Sequence, residues 1–284
     1  RKENTFTQPA ADITAEAPER LWQNPQLQSE MGRKLYRFLD GSSRCLENAL
    51  LDAGQHGEPL ILHLCSCIET SDWPFELLYR DSFLLSQQLH LVRCVSGWGK
   101  SKELPPRDHP LKLLFMACSA LEVKPELDFE KEEESIFQVT TDLAMDMEVE
   151  DSGSLEGLRQ KLEHDEYEVV HLSGHADIDK HGRPFFVMED ETGRRRDVLP
   201  GELWEEALIE NPPRLLFLSG CRTGETPGTG AAVSFARVLV ENYRVPAVLG
   251  WGRSVGDLQA SLAEKMIYKE LSKGKSILEA VRRA

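Results

Sequence analysis

Apolar and polar residues follow two different periods along the chain, and together these periods predict a regular order of strands and helices. Short continuous apolar runs bounded by glycine, proline or charge are typical of buried strands, whereas apolar spacing near 3.6 residues indicates helices. The predicted strands occupy residues 59–66, 89–95, 112–118, 144–149, 167–173, 214–219 and 246–250. The predicted helices occupy residues 26–54, 74–79, 127–141, 154–164, 201–209, 230–242 and 256–272, and a hairpin-like pair is expected at 184–198.

This alternation predicts the fold class and a division of the chain. Strands that alternate with helices favour an α/β fold, a mostly parallel sheet with helices on both faces. The stretch "SGWGKSKELPPRDHP" at 96–110 separates a smaller N-terminal half, residues 25–110, from a larger half, residues 111–284. Residues 1–24 are polar enough to be a linker. Because the C-terminal helical pattern ends without a cap, we expect a piece of a longer protein.

Composition narrows the classes of function. The 284 residues include 33 basic and 48 acidic side chains, which give a formal charge of −15. Such a charge repels nucleic acid and anionic lipid, so neither is expected as a direct partner. The N-terminal segment lacks the apolar core of a signal peptide, and no apolar run is long enough to span a membrane. These features predict a soluble cytoplasmic protein.

The six cysteines are expected to be reduced thiols. Most lie in or beside apolar runs, where we expect buried thiols, including those of Cys65 and Cys118. His63, Cys65 and Cys67 would share one face of a strand, but no second ligand pair is near in sequence, so zinc is not expected. No phosphate loop is expected either, because the glycine that such a loop needs before glycine–lysine is absent at both candidate positions. We therefore predict no metal and no cofactor.

Two reactive side chains follow two of the predicted strands. His175 ends the stretch "VVHLSGH", and Cys221 ends the stretch "LFLSGC", each two residues after a strand. In a parallel sheet both would emerge at the carboxyl edge, and they would lie close together if the two strands are neighbours. A thiolate there could attack a carbonyl while the imidazole protonates the leaving amine. The alternative is that they are two ordinary strand ends.

The backbone of these turns offers further groups to such a site. Gly220, directly before the cysteine, permits a tight bend at the end of the strand. The backbone N–H groups of Ala176 and Cys221 could point at the oxyanion of a tetrahedral intermediate. If the two strands are neighbours, the sequence therefore supplies a nucleophile, a proton donor and an oxyanion hole.

The motifs "VVHLSGHAD", "LLFLSGCRTGE", "DWPFELLYRDSFLLSQQLHLVR" and the segment from "FARVLV" to the end resemble the CHAT family of caspase-like cysteine peptidases. The resemblance covers about residues 59–284 and implies a caspase-like fold with His175 and Cys221 as the catalytic dyad. One residue departs from the family pattern, because Ala176 follows the histidine where the family has glycine. Alanine keeps the backbone N–H, so the resemblance still implies an oxyanion hole.

Four other residues have two interpretations each. His171 is either a structural hydrogen-bond partner on its strand or a direct participant. Glu76 is either a surface charge or, as the resemblance implies, a residue that stabilises the loops of the site. Trp251 is either a strand-end aromatic or a wall of the cleft. Asp257 is either an N-cap or first-turn acid of a helix, or the acidic floor of a pocket for lysine or arginine.

Two functions remain open. The first is a cysteine endopeptidase that acts on a protein substrate, cleaves after a basic residue, and is the regulated effector domain of a larger protein. The resemblance implies a regulatory or sensor module as partner, in the same chain or another. The second is a catalytically silent, caspase-like module that binds proteins. The presence of both His175 and Cys221 favours the peptidase.

Overall fold

The structure, a computed structural model, describes residues 18–65, 73–86, 89–94, 110–124, 127–140, 145–220, 231–251 and 257–284. The chain divides into two compact units, residues 1–96 and 97–284.

The first unit combines helices with a two-stranded parallel sheet. Its elements are helices α1 (Pro18–Gln23), α2 (Pro25–Asp40) and α3 (Cys45–His56), strands β1 (Leu60–Cys65) and β2 (Leu89–Cys94), and 3₁₀ turns at Phe75–Leu77 and Leu84–Ser86. Strands β1 and β2 pair in register from Leu60 opposite Leu89. Leu35, Leu78 and Leu84 are fully buried between these elements. The unit therefore has a hydrophobic core of its own.

Three predictions for this unit need correction. The single helix predicted at 26–54 is two helices, because Gly41 and Arg44 adopt positive φ values of 57° and 51° that a helix cannot include. The short helix predicted at 74–79 is one 3₁₀ turn. Helix α1 falls within the predicted linker 1–24, and its Leu21 is buried at 5% exposure. The folded part of the chain therefore begins before the predicted end of the linker. Residues 1–17 lie outside the described residues.

The second unit contains a five-stranded, fully parallel sheet. Its strands are β3 (Leu111–Ala117), β4 (Met145–Glu150), β5 (Val169–Ser173), β9 (Leu215–Ser219) and β10 (Val248–Gly250). They lie in the order β10-β9-β5-β3-β4. The chain thus places β4 on one side of β3 and the later strands on the other, which makes the boundary between β3 and β5 the switch point of the sheet.

Helices cover both faces of this sheet. The helices of the unit are α4 (Phe129–Thr140), α5 (Leu155–His164), α6 (Pro200–Leu203), α7 (Ala231–Tyr243), α8 (Asp257–Leu271) and α9 (Ile277–Arg283). Apolar residues of α5, α6 and α7 pack on one face, and those of α4, α8 and α9 pack on the other. All five residues of β5, and all five of β9, are buried. The predicted α/β class, a mostly parallel sheet between helical layers, is confirmed.

A small antiparallel sheet follows β5. Its strands are β6 (His175–Ile178), β7 (Pro184–Glu189) and β8 (Arg195–Val198), in that order. The pair predicted at 184–198 is therefore one part of a three-stranded sheet, since His175 to Ile178 also pair with β7. The helix predicted at 201–209 is α6 followed by one π-helical turn, Trp204–Leu208. Within the described residues, no helix has both the length and the apolar character needed to cross a membrane.

Candidate active site

The two strands that precede His175 and Cys221 are neighbours in the sheet. Strands β5 and β9 pair in parallel, and their last residues, Ser173 and Ser219, lie opposite each other. The ladder continues one step further, because Gly174 N donates to Ser219 O at 3.0 Å. The condition stated from the sequence is therefore met: the two strands are neighbours, and they end at the same edge of the sheet. Cys221, the second residue after Ser219, lies outside the described residues.

His175 and Ala176 begin strand β6. His175 lies opposite Val187 on β7 and is 9% exposed. Ala176 lies opposite Phe186, is 1% exposed, and packs into the core on the α7 face. Its backbone belongs to a strand, and it is not among the residues with positive φ. An alanine therefore fits this position without the left-handed conformation that would have required glycine.

The ring of Phe186 explains why glycine follows each strand. A Cβ atom on Gly174 would lie 3.0 Å from this ring, and one on Gly220 would lie 2.6 Å from it. Neither glycine has a positive φ. From the sequence, the role expected of Gly220 is to permit a tight bend, but the structure gives a different reason for the glycine. Both positions need glycine because the Phe186 ring packs directly against the backbone.

Trp251 and Asp257 follow strand β10. Trp251 is half-buried, its ring packs on Phe217, and its indole N–H lies 3.4 Å from Ser219 Oγ. Trp251 is thus a strand-end aromatic that contacts the end of β9. Asp257 is the first residue of helix α8, as predicted, but its side chain lies outside the described part of the structure. Its role as cap or pocket floor stays a prediction.

A buried polar network lies beneath these strand ends, on the face covered by α4 and α8. His171 of β5 is fully buried, with Nδ1 2.7 Å from the Tyr268 hydroxyl and Nε2 3.1 Å from Glu132 Oε1. Ser173 donates its hydroxyl proton to Glu132 Oε2 at 2.5 Å. The interpretation of His171 as a structural hydrogen-bond partner therefore agrees with its contacts in the structure.

Glu264 of α8 completes this network. It is fully buried, and its Oε1 accepts a hydrogen bond from the Ser219 hydroxyl at 2.5 Å. Its other oxygen, Oε2, is buried and receives no conventional hydrogen bond from the described residues. One oxygen of the Glu132 carboxyl group and one of the Glu264 carboxyl group lie within 4.8 Å of each other. We refer to His171, Ser173, Glu132, Glu264, Ser219 and Tyr268 as the acid network.

Burial and proximity shift the pKa values of the two carboxyl groups in opposite directions. Burial, then the nearby charge of Glu132, raises the pKa of Glu264 to about 9. Although burial alone would raise it, the pKa of Glu132 is lowered, because hydrogen bonds from His171, Glu264 and Ser173 stabilise its anion. Burial also raises the pKa of the Tyr268 hydroxyl. At neutral pH Glu132 is ionised and Glu264 carries a proton.

The sequence analysis missed Glu132 and Glu264. Glu132 lies in the acidic run "EKEEES", which is typical of a solvated helix face. A signal was nevertheless present in the helical spacing. Glu132 precedes the buried Ile136 by four residues, and Glu264 precedes the buried Tyr268 by four, so each carboxyl group is on the inward face of its helix.

Metal-ligating potential exists in one cluster of the described residues. Donor atoms of Glu132, His171 and Glu264 all lie within 4.8 Å of one another. The candidate zinc ligands named from the sequence, His63, Cys65 and Cys67, belong to the first unit and are not part of this cluster. His63 Nδ1 lies 3.3 Å from Cys94 Sγ, and Cys67 is outside the described residues. Cys65 is exposed, which corrects the prediction of a buried thiol, because it is on the outward face of β1.

Two further predictions have structural outcomes. Cys118 is buried as predicted, and burial raises the pKa of its thiol well above the ordinary value. Glu76 accepts two hydrogen bonds from Arg93 at 3.0 and 2.8 Å, and Arg93 also donates to the Trp73 carbonyl. Glu76 therefore joins the 3₁₀ turn to β2 within the first unit.

The parallel sheet between two helical layers, with His175 one glycine beyond the central strand β5, is that of a caspase-like α/β protein. The model of the family described as CHAT domain matches residues 19–284. The chain therefore belongs to the CHAT domain family, which is related to the caspase-like cysteine peptidases. A comparison with curated proteins finds no match.

Proposed function

We propose that the chain is a cysteine endopeptidase in which Cys221 is the nucleophile and His175 its acid–base partner. The observation that carries the proposal is the pairing of β5 with β9, because Ser173 and Ser219 end these strands side by side. His175 and Cys221 each follow these residues by two positions. Membership of a peptidase-related family supports the same chemistry.

The proposed reaction has two steps. The Cys221 thiolate attacks the peptide carbonyl carbon, the C–N bond breaks, and protonated His175 gives its proton to the leaving amine. Water, deprotonated by His175, then attacks the thioester and releases the new carboxylate and the free thiol. The N–H groups of Ala176 and Cys221 are proposed to stabilise the oxyanion of both intermediates. No metal or cofactor takes part in the proposal.

Substitution of the dyad tests the peptidase. We expect Cys221→Ala and His175→Ala each to reduce cleavage of a peptide library by at least about a thousandfold, since the thiol supplies the nucleophilic chemistry. Cys65→Ala is the matched control, because Cys65 is an exposed thiol in the first unit. Circular dichroism and thermal unfolding of each variant verify the fold. Cleavage by Cys221→Ala near the wild-type rate contradicts the mechanism. A folded wild type that binds peptides and cuts none is the silent binding module.

Specificity is proposed to reside in Asp257. The chain is acidic overall, and Asp257 follows Trp251 closely at the start of α8. We propose cleavage after lysine or arginine, whose charge the carboxylate would pair with. Loss of a desolvated pair of this kind costs about 2–5 kcal/mol.

Asp257→Asn separates the two roles of this residue. Asparagine keeps the size and the side-chain oxygen of aspartate but carries no charge, so at the start of a helix it costs only about 0.3–1 kcal/mol. We expect this variant to lose cleavage after basic residues while its thermal stability and its cleavage after apolar residues stay near wild type. Library profiling by mass spectrometry measures the preference. An unchanged preference in the variant removes Asp257 from the pocket.

The proposed context is regulated proteolysis. The substrate is proposed to be a protein, and the activating partner a regulatory or sensor module in the same chain or another chain. A cytoplasmic location and reduced thiols belong to the same proposal. So does the absence of nucleic-acid and membrane partners, which the formal charge of −15 supports. Cleavage assays with and without candidate partner modules test the regulation.

A further inference from the structure

We propose that Glu132 and Glu264 share one proton, and that this acid pair holds the ends of β5 and β9 so that His175 and Cys221 are correctly placed. Glu132 and Glu264 are therefore positioning residues that act through Ser173 and Ser219. The inference rests on the proposed function for its effect on catalysis, whereas the sharing of the proton is argued from the acid network itself.

The hydrogens of the acid network can be assigned with one added proton. Tyr268 donates to His171 Nδ1, and His171 Nε2–H donates to Glu132. Ser173 donates to the other Glu132 oxygen, and Ser219 donates to Glu264 Oε1. We assign the added proton to Glu264 Oε2, the atom without a hydrogen-bond partner among the described residues, and take Glu132 as its acceptor, since oxygens of the two carboxyl groups lie within 4.8 Å of each other. Every polar hydrogen in this assignment then has an acceptor.

The charge of the acid network supports a shared proton. Within the described part of the chain, the titratable groups that face Glu264 are Glu132 from α4, His171 from β5 and Tyr268 from its own helix α8. Among the described residues, neither Glu132 nor Glu264 forms an ion pair with a lysine or arginine. Two ionised carboxylates buried there without a cation would be strongly unfavourable. One proton leaves a single anion on Glu132, which three donors stabilise.

The acid network reaches the candidate active site through two short connections. Ser173 and Ser219 are the last residues of their strands, and each is separated from its dyad residue by one glycine. Their hydroxyls are held by carboxyl groups from α4 and α8, respectively. Trp251 adds a contact from the end of β10 to Ser219. Loosening the carboxyl pair would therefore shift both strand ends together.

Glutamine substitution distinguishes the two members of the pair. In Glu264→Gln the amide NH₂ can still donate to Glu132, and the amide oxygen can still accept from Ser219, so the network stays closed without a titratable proton. In Glu132→Gln the single oxygen cannot accept all three donors. We expect Glu132→Gln to lose at least about tenfold more activity than Glu264→Gln, which retains most of it.

The experiment measures alkylation of Cys221 by iodoacetamide in the 284-residue chain, mapped by peptide mass spectrometry. The exposed Cys65 in the same sample is the internal reference for a solvent-accessible thiol. From neutral to alkaline pH, we expect the Cys221 to Cys65 rate ratio to fall more steeply in wild type than in Glu264→Gln, because only wild type loses the shared proton.

Glu134→Gln is the matched control and should behave as wild type, because Glu134 is an exposed residue on the same helix as Glu132. Ser219→Ala is the second variant if Glu132→Gln does not fold, and we expect it to lower the ratio with both carboxyl groups in place.

Thermal unfolding tests the proton independently of catalysis. The pKa of Glu264 is about 9 in the folded chain and near 4.5 when unfolded, so the folded state holds the extra proton between these values. Stability must therefore fall as pH rises through this window, and this fall must be smaller in Glu264→Gln. Equal slopes in wild type and variant overturn the shared proton.

Each failure has its own signature. Suppose that the Cys221 to Cys65 rate ratio is high in wild type and falls in His175→Ala, but does not change in Glu132→Gln. The positioning role is then wrong, and the proposed function stands. If Glu264→Gln loses as much activity as Glu132→Gln, the two carboxyl groups do not share a proton. A rise in the thermal stability of wild type on addition of Zn²⁺ or Mg²⁺ would then identify a cation between the carboxylates. If wild-type Cys221 reacts like Cys65 and His175→Ala has no effect, the proposed function fails, and with it the positioning role.

Discussion

Phe186 determines which residue can follow each of the two central strands. Its ring packs against the backbone at Gly174 and Gly220, so the two turns that precede the candidate catalytic residues share one neighbour. Any side chain at either position must displace this ring or the turn itself, because packed interiors leave little free volume.

Gly220→Ala is expected to destabilise the chain by about 1–3 kcal/mol, as overpacking does elsewhere, and to reduce cleavage, since the new Cβ would lie 2.6 Å from the Phe186 ring. Urea unfolding measures the first effect. Adding Phe186→Leu should recover part of the loss by removing the ring.

Gly54→Ala is the control with the opposite sign. Nothing lies within 4 Å of its Cβ, and alanine favours a helix by roughly 0.5–1 kcal/mol. A Gly220→Ala chain as stable as wild type would show that the turn relaxes freely.

At the scale of residues, the sequence predicted where a residue lies relative to its own strand, but not which distant residues it contacts. His175 and Ala176 were located correctly after a strand because the apolar run "EVVHLS" marks its end. The pairing of His171 with Glu132 and Tyr268 joins residues 39 and 97 positions apart, so no local pattern could reveal it. Cys65 was assigned to the interior because an edge strand with one outward face has the same local composition as a buried strand.

At the scale of elements, helix α9 is joined to α8 by Glu270. This carboxylate accepts hydrogen bonds from Lys273 and from Arg283, both at 2.7 Å, and is 4% exposed. The hydrogen bond from Lys273, and the charges of Lys273 and Arg283, lower the pKa of Glu270. A carboxylate with a lowered pKa stabilises the fold above its unfolded pKa, and this stabilisation is lost as pH falls through the folded value.

Arg283→Gln should therefore increase hydrogen exchange in residues 277–283 at neutral pH, and the difference from wild type should vanish under acidic conditions, where Glu270 is protonated. Arg282→Gln removes the same charge one residue away and is the matched control. The effect is expected to be small and to weaken with salt, since Arg283 is partly exposed. Equal exchange in both variants at neutral pH would mean that the ion pair does not hold α9.

Elements with strong apolar periods were predicted well, and elements formed by pairing were not. Strands β3, β5 and β9 were located within two residues of their observed bounds, because strands buried on both faces are continuous apolar runs. Strand β6 was missed because "HADI" has no apolar run, and only its register with β7 makes it a strand. Helix 26–54 was not divided because Gly41 and Arg44 interrupt a spacing that continues in register on both sides.

At the scale of the whole molecule, alternation of strands and helices predicted the parallel sheet but not the order of its strands. Right-handed crossovers and short connections permit several orders. The observed order, with β5 beside β9, decides whether His175 and Cys221 can belong to one site. The sequence analysis could state this only as a condition.

The measurement that tests the peptidase most directly is labelling of the intact 284-residue chain with a thiol-reactive peptide warhead that has lysine or arginine before the reactive group. Peptide mapping then compares all six cysteines. The catalytic dyad predicts that Cys221 is labelled first, well ahead of the exposed Cys65 and the buried Cys118, and that His175→Ala abolishes this preference. Labelling of Cys65 at the same rate as Cys221, unchanged in His175→Ala, would contradict it.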